Sequence, residues 1–129
     1  MRILNLKDGS VNTLTTYYDN FPFWSPRGDL IMFSRQEADN FDIYTIEPNG
    51  KNLRRLTTSR GNDAHMGWSP DGQWIVFASS RMGFKDESVY TAAPQPYGEL
   101  FIMKYNGEEV QQLTDNQWEE GAPAWQPAK

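Results

Sequence analysis

The chain has 129 residues, 22% of them charged and 38% hydrophobic, with a formal net charge of −5 and no cysteine. These values fit one folded domain with an adequate core, and they exclude wholesale disorder, disulfides and a thiolate metal site. The acidic balance, with no basic cluster larger than Arg54–Arg55, argues against a nucleic-acid partner. No apolar run approaches the roughly 18–20 residues that span a bilayer, so no membrane insertion is expected.

In chain order, residues 1–20 predict two short strands around the turn Asp8-Gly9, ending at Leu14-Thr15. "MRILNLKDGS" lacks the apolar stretch and cleavage site of a signal peptide. A series of four strands follows, here called A to D: FPFW (21–24), LIMFS (30–34), DIYTI (42–46) and LRRLT (53–57). The series then repeats as HMGW (65–68), WIVFAS (74–79), LFIMK (100–104) and VQQLT (110–114), and "GAPAWQPAK" begins it a third time. Trp24, Trp68 and Trp125 mark the same place in successive units, 44 and 57 residues apart. The longer spacing reflects a 13-residue insertion within residues 82–99 of the second unit. The organisation expected is therefore strands C and D in 1–20, a full unit in 21–60, a full unit with the insertion in 61–115, and a closing strand A in 116–129.

Each unit carries Trp-Ser-Pro-x-Gly between its first two strands. The proline stops the ladder because it has no N–H to donate, and Asp71-Gly72 or Arg27-Gly28 supplies the reversal. β-Branched and aromatic residues fill the strands, turn residues separate them, and nothing has the 3.6-residue period of a helix. Four-stranded units of about 44 residues read as β-propeller blades, which makes the fold class all-β.

"WSPDGQWIVFASSR" and "ELFIMKYNGEEVQQLT" resemble the repeat of TolB-like β-propellers, a likeness that covers essentially the whole chain. The resemblance implies a six-bladed ring without a catalytic site of its own. It also implies a docking platform for protein partners or one domain of a larger protein, and a bacterial setting outside the cytoplasm, the periplasm. Related blades also precede catalytic domains of the prolyl-oligopeptidase type. Size departs from that pattern: six blades need roughly 260 residues. The chain therefore reads as the C-terminal half of a propeller, begun partway through a blade, with open edges. A homodimer that completes a six-bladed ring, with two blades lacking strand B, is one way to cover them.

Catalytic candidates are sparse. His65 is the one histidine, so a histidine-rich metal site is excluded, and this residue serves either packing or ligand contact. No Gly-x-Ser-x-Gly elbow or phosphate-cradling glycine loop occurs, and Ser79-Ser80 has no visible base. No enzyme activity, cofactor or metal is expected. Five residues before each strand-A tryptophan stands an acid, Asp19, Asp63 or Glu120, with Asn62 and Glu119 alongside. Equivalent blades would aim these D–A loop acids at one channel mouth, either as a seat for a cation or basic peptide or as ordinary solvated turn acids. The insertion offers Phe84, Lys85, Tyr90 and Tyr97, stiffened by Pro94 and Pro96, either as a recognition loop on the same face or as a flap folded onto its own blade. The function expected is a non-enzymatic scaffold for protein–protein interaction. The alternatives are an accessory propeller of a larger enzyme such as a peptidase, or a carbohydrate binder stacking on Trp118, Tyr90 and Tyr97.

Overall fold

The computed structural model describes residues 1–38, 40–83, 98–118 and 120–127. Among the described residues ten strands form and no helix. β1 (Arg2–Leu4) and β2 (Val11–Thr13) make a two-stranded sheet around the Asp8-Gly9 turn. β3 (Asp19–Trp24), β4 (Ile31–Glu37), β5 (Asn40–Ile46) and β6 (Arg54–Arg55) form a four-stranded antiparallel meander. β7 (Asp63–Trp68), β8 (Trp74–Ser79), β9 (Glu99–Lys104) and β10 (Gln111–Gln112) repeat it. The chain is thus all-β, with two complete four-stranded blades and partial blades at both ends. Residues 121–127 run on as an unpaired segment.

Alternation along the strands sets what each sheet face meets. Ile31, Phe33, Tyr44 and Ile46 face back and pack with Met1, Ile3 and Leu14 of the two-stranded sheet. Met32 and Ile43 face forward, into a second cluster with Met66, Ile75, Phe77, Phe101 and Met103. The core therefore lies between sheets, and the first blade has one face against the two-stranded sheet and the other against the second blade.

One feature of the first strands departs from a plain ladder. Register slips between Asn20 and Phe23 in β3, and between Ala64 and Gly67 in β7. At each slip one residue is left-handed, Phe21 (φ 54°) and His65 (φ 51°), and Ala122 (φ 47°) holds the same place before Trp125. A bulge of this kind bends the strand and re-aims side chains. It brings the Phe21 and His65 rings to 4.6 Å between centroids, across two neighbouring sheets.

Candidate functional site

Two of the acids at the common offset are placed differently from the loop positions expected of them. Asp19 and Asp63 are the first residues of β3 and β7, and both carboxylates are buried in ion pairs. Arg35 donates Nε–H to Asp19 Oδ1 at 2.7 Å and Nη2–H to Oδ2 at 3.1 Å. Asp19 and Arg35 are cross-strand partners in the β3–β4 register. In the second sheet Ser79 stands opposite Asp63 and donates its hydroxyl at 2.5 Å. Arg81, two residues on, reaches back to both Asp63 oxygens at 3.0 Å.

The two arginines also cap equivalent ring pairs. The Arg35 guanidinium lies 5.2 and 5.1 Å from the centroids of stacked Phe33 and Tyr44, and Arg81 lies 5.4 and 4.5 Å from those of Phe77 and Phe101. Charge, hydrogen bonds and rings thus lock one corner of each blade. A second set of buried acids recurs at the start of strand C. Thr57 Oγ1 donates to Asp42 and accepts from the Ile43 N–H, and Thr114 Oγ1 does the same with Glu99 and Leu100. Asp42 and Glu99, like Thr57 and Thr114, are 57 residues apart, so unit alignment contained the signal.

Burial, the largest influence, pushes the Asp63 carboxyl up, against the lowering effect of Ser79, Arg81 and Thr57. Burial likewise holds the His65 imidazole below its ordinary value, so the neutral ring is favoured at its place against Phe21. Glu120 pairs through its backbone with Gly98, and its side chain accepts from Asn116 Nδ2 at 2.8 Å. Among the described residues no group of three or more His, Asp or Glu is arranged to hold a metal. Glu119, Phe84, Lys85, Tyr90 and Tyr97 lie outside the described residues.

Asn62 acts as a strut between blades. Its Oδ1 accepts from the Phe41 N–H at 3.1 Å, while its backbone N–H donates to Ser80 Oγ at 2.8 Å. Around it opens a cleft of about 550 Å³ lined by Asn40, Ser80, Gly83 and the connection 58–62. Gly61 (φ 99°) lets this connection close on the end of the second blade, since a Cβ there would fall 2.7 Å from the Arg81 nitrogen. Among the described residues the lining is amide and hydroxyl groups with a single cation, exposed Arg60, and no carboxylate. Arg60 makes no hydrogen bond or ion pair with a described residue. The insertion departs at Gly83, on the rim of the cleft, and returns at Gly98 beside Glu120. The D–A connections and the insertion's two ends therefore share one side of the blades. Arginine and the cleft were missed by reasoning from acids alone; an unmatched arginine in a Ser-Arg-Gly-Asn turn was the available sign.

Comparison with known proteins places the chain. The family model described as the TolB beta propeller domain matches residues 2–95. The Protein TolB homolog of Chlorobium luteolum is 33% identical over 84 residues, 64% of this chain and 19% of that one. A solved TolB-type structure from Agrobacterium tumefaciens superposes with a TM-score of 0.73 at 22% identity, over 97% of this chain and 47% of that one. The acylaminoacyl peptidase of Pyrococcus horikoshii shares the fold at a TM-score of 0.60 and 17% identity, over 87% of this chain and 20% of that one. The chain thus spans less than half the length of each of these proteins, and at these structural identities the likeness is one of fold. With the family model matched over residues 2–95, more than half of the chain, the chain belongs to the TolB beta propeller domain family.

Proposed function

We propose that this chain is a non-enzymatic propeller segment that binds a protein partner at the side where the D–A connections meet the insertion. The compartment that goes with this reading is the bacterial periplasm. The observation that carries it is the cleft around Asn62, a preformed, donor-rich opening in an otherwise acidic molecule. Arg60, unmatched by any described acid, suits a carboxylate on the partner, and the amides and hydroxyls suit its backbone. Asp19, Asp63, Asp42 and Glu99 are engaged in structural bonds, so none of them supports a role as a general acid or base. The insertion, with Phe84, Lys85, Tyr90 and Tyr97, would add aromatic surface beside the cleft.

The test is isothermal titration with a partner recovered by cross-linking and then purified. Arg60→Glu is expected to weaken its binding by about tenfold while the melting temperature stays unchanged, because Arg60 is exposed. Equal affinity in wild type and variant removes the cleft from the reading. Turnover of acylaminoacyl peptides by the purified chain overturns the non-enzymatic reading altogether.

A further inference from the structure

Two of the contacts that join successive sheets each occur twice among the described residues. In the first, a strand-A tryptophan donates its indole N–H to the carbonyl one residue before the preceding strand-A tryptophan. Trp68 Nε1 reaches Phe23 O at 3.3 Å, and Trp125 Nε1 reaches Gly67 O at 3.1 Å. In the second, a leucine ending one sheet lies against a left-handed hairpin glycine of the next. A Cβ on Gly50 would meet Leu14 Cδ2 at 4.0 Å, and one on Gly107 would meet the Leu56 carbonyl at 3.0 Å.

Each end of the molecule has one of these contacts and lacks the other. The two-stranded sheet joins the first blade through Leu14 and Gly50, but Trp24 is 51% exposed and its indole bonds to no described residue. The second blade joins residues 120–127 through Trp125, but Leu113 is 54% exposed. What one end lacks, the other displays. Ala124 precedes Trp125 as Phe23 precedes Trp24, and Gly9 (φ 73°) is a hairpin glycine with open space around it. Exposed Leu4, Leu6 and Val11 at one end and Val110 at the other add uncovered apolar surface.

We infer that two copies of this chain associate head to tail, Trp24 of each donating to the Ala124 carbonyl of the other, and Leu113 of each packing on Gly9 of the other. The two-stranded sheet of one copy then shares a blade with the terminal segment of the second. Four complete blades and two three-stranded composite ones close a six-membered ring with two-fold symmetry. Head-to-tail contacts of this type close only if the rotation fits, and otherwise make open polymers. The inference rests on the propeller fold and is independent of the partner-binding cleft.

Light scattering of the 129-residue chain at tens of micromolar is expected to give about twice 14.9 kDa. A monodisperse monomer overturns the inference, and polymers larger than a dimer overturn its closure. Across the existing joint, Arg54 Nη2 donates to the carbonyl of Asn106, the residue before Gly107. The equivalent pair between copies is Gln111 and Asp8, both exposed. A short bismaleimide should therefore join Asp8→Cys/Gln111→Cys chains into dimers while leaving each single variant monomeric on a denaturing gel. The chain has no other cysteine. A dimer that resists this cross-link uses a different surface. Leu113→Arg should raise the dimer dissociation constant at least about tenfold with unchanged circular dichroism; an unmoved constant overturns the leucine joint.

Discussion

The Asp63–Arg81 pair puts a fully buried carboxylate against a guanidinium that is 15% exposed. Breaking such a pair from one side leaves a charge in low dielectric, which costs about 3–5 kcal/mol. Arg81→Met is expected to destabilise by that amount at neutral pH. Burial already raises the Asp63 carboxyl, so in the folded state it binds a proton more readily than in the unfolded chain. Stability linked to such a group falls as pH rises through the raised value and recovers on acidification. The deficit of Arg81→Met should accordingly shrink between pH 7 and pH 4.5 in urea melts, and a deficit that grows on acidification would contradict this account. The common offset from tryptophan picked out Asp19 and Asp63 in the sequence but not what they do. Their arginines stand 16 and 18 residues on, a relation that becomes readable only once strands A and B are paired in register.

Strand A is the element that decides how blades meet. The strands were legible because Trp-Ser-Pro-x-Gly and the Asn-Gly turns punctuate them, and because strand B is apolar on both faces, as a sheet covered on two sides requires. The bulge within strand A was not. Phe21, His65 and Ala122 occupy its left-handed position, and none is the glycine that would announce it. That backbone is held by neighbours, as the Phe21–His65 ring contact shows, so its cost of about 1–2 kcal/mol is met by packing. A β-branched residue tolerates this region worst. His65→Val should be less stable than His65→Gly by about 1–2 kcal/mol, although valine is the better strand former. Chemical denaturation of both variants checks the sign; valine equal to or above glycine would mean that the bulge relaxes away.

For the molecule as a whole, the unit of stability is the joint between sheets rather than the sheet. Met32 and Ile43 of the first blade share one buried cluster with Met66, Ile75 and Phe77 of the second. Met66 lies on β7, where strand A faces its neighbour, and its sulfur is 3.8 Å from Ser34 Oγ of the first blade. In a stack of repeats, each unit draws its stability from its own fold plus the interfaces on either side. Met66→Ala should therefore cost about 2–5 kcal/mol, the range for a large side chain lost from a packed core. The loss should fall on both blades together. Because Trp24 reports on the first blade and Trp74 on the second, backgrounds that keep only Trp24 or only Trp74 of the five tryptophans separate their fluorescence. Coincident unfolding midpoints in the two backgrounds are expected for Met66→Ala as for the parent. Midpoints that part would mean that each four-stranded sheet stands alone, which a sheet with apolar residues on both faces and one neighbour removed has no means to do.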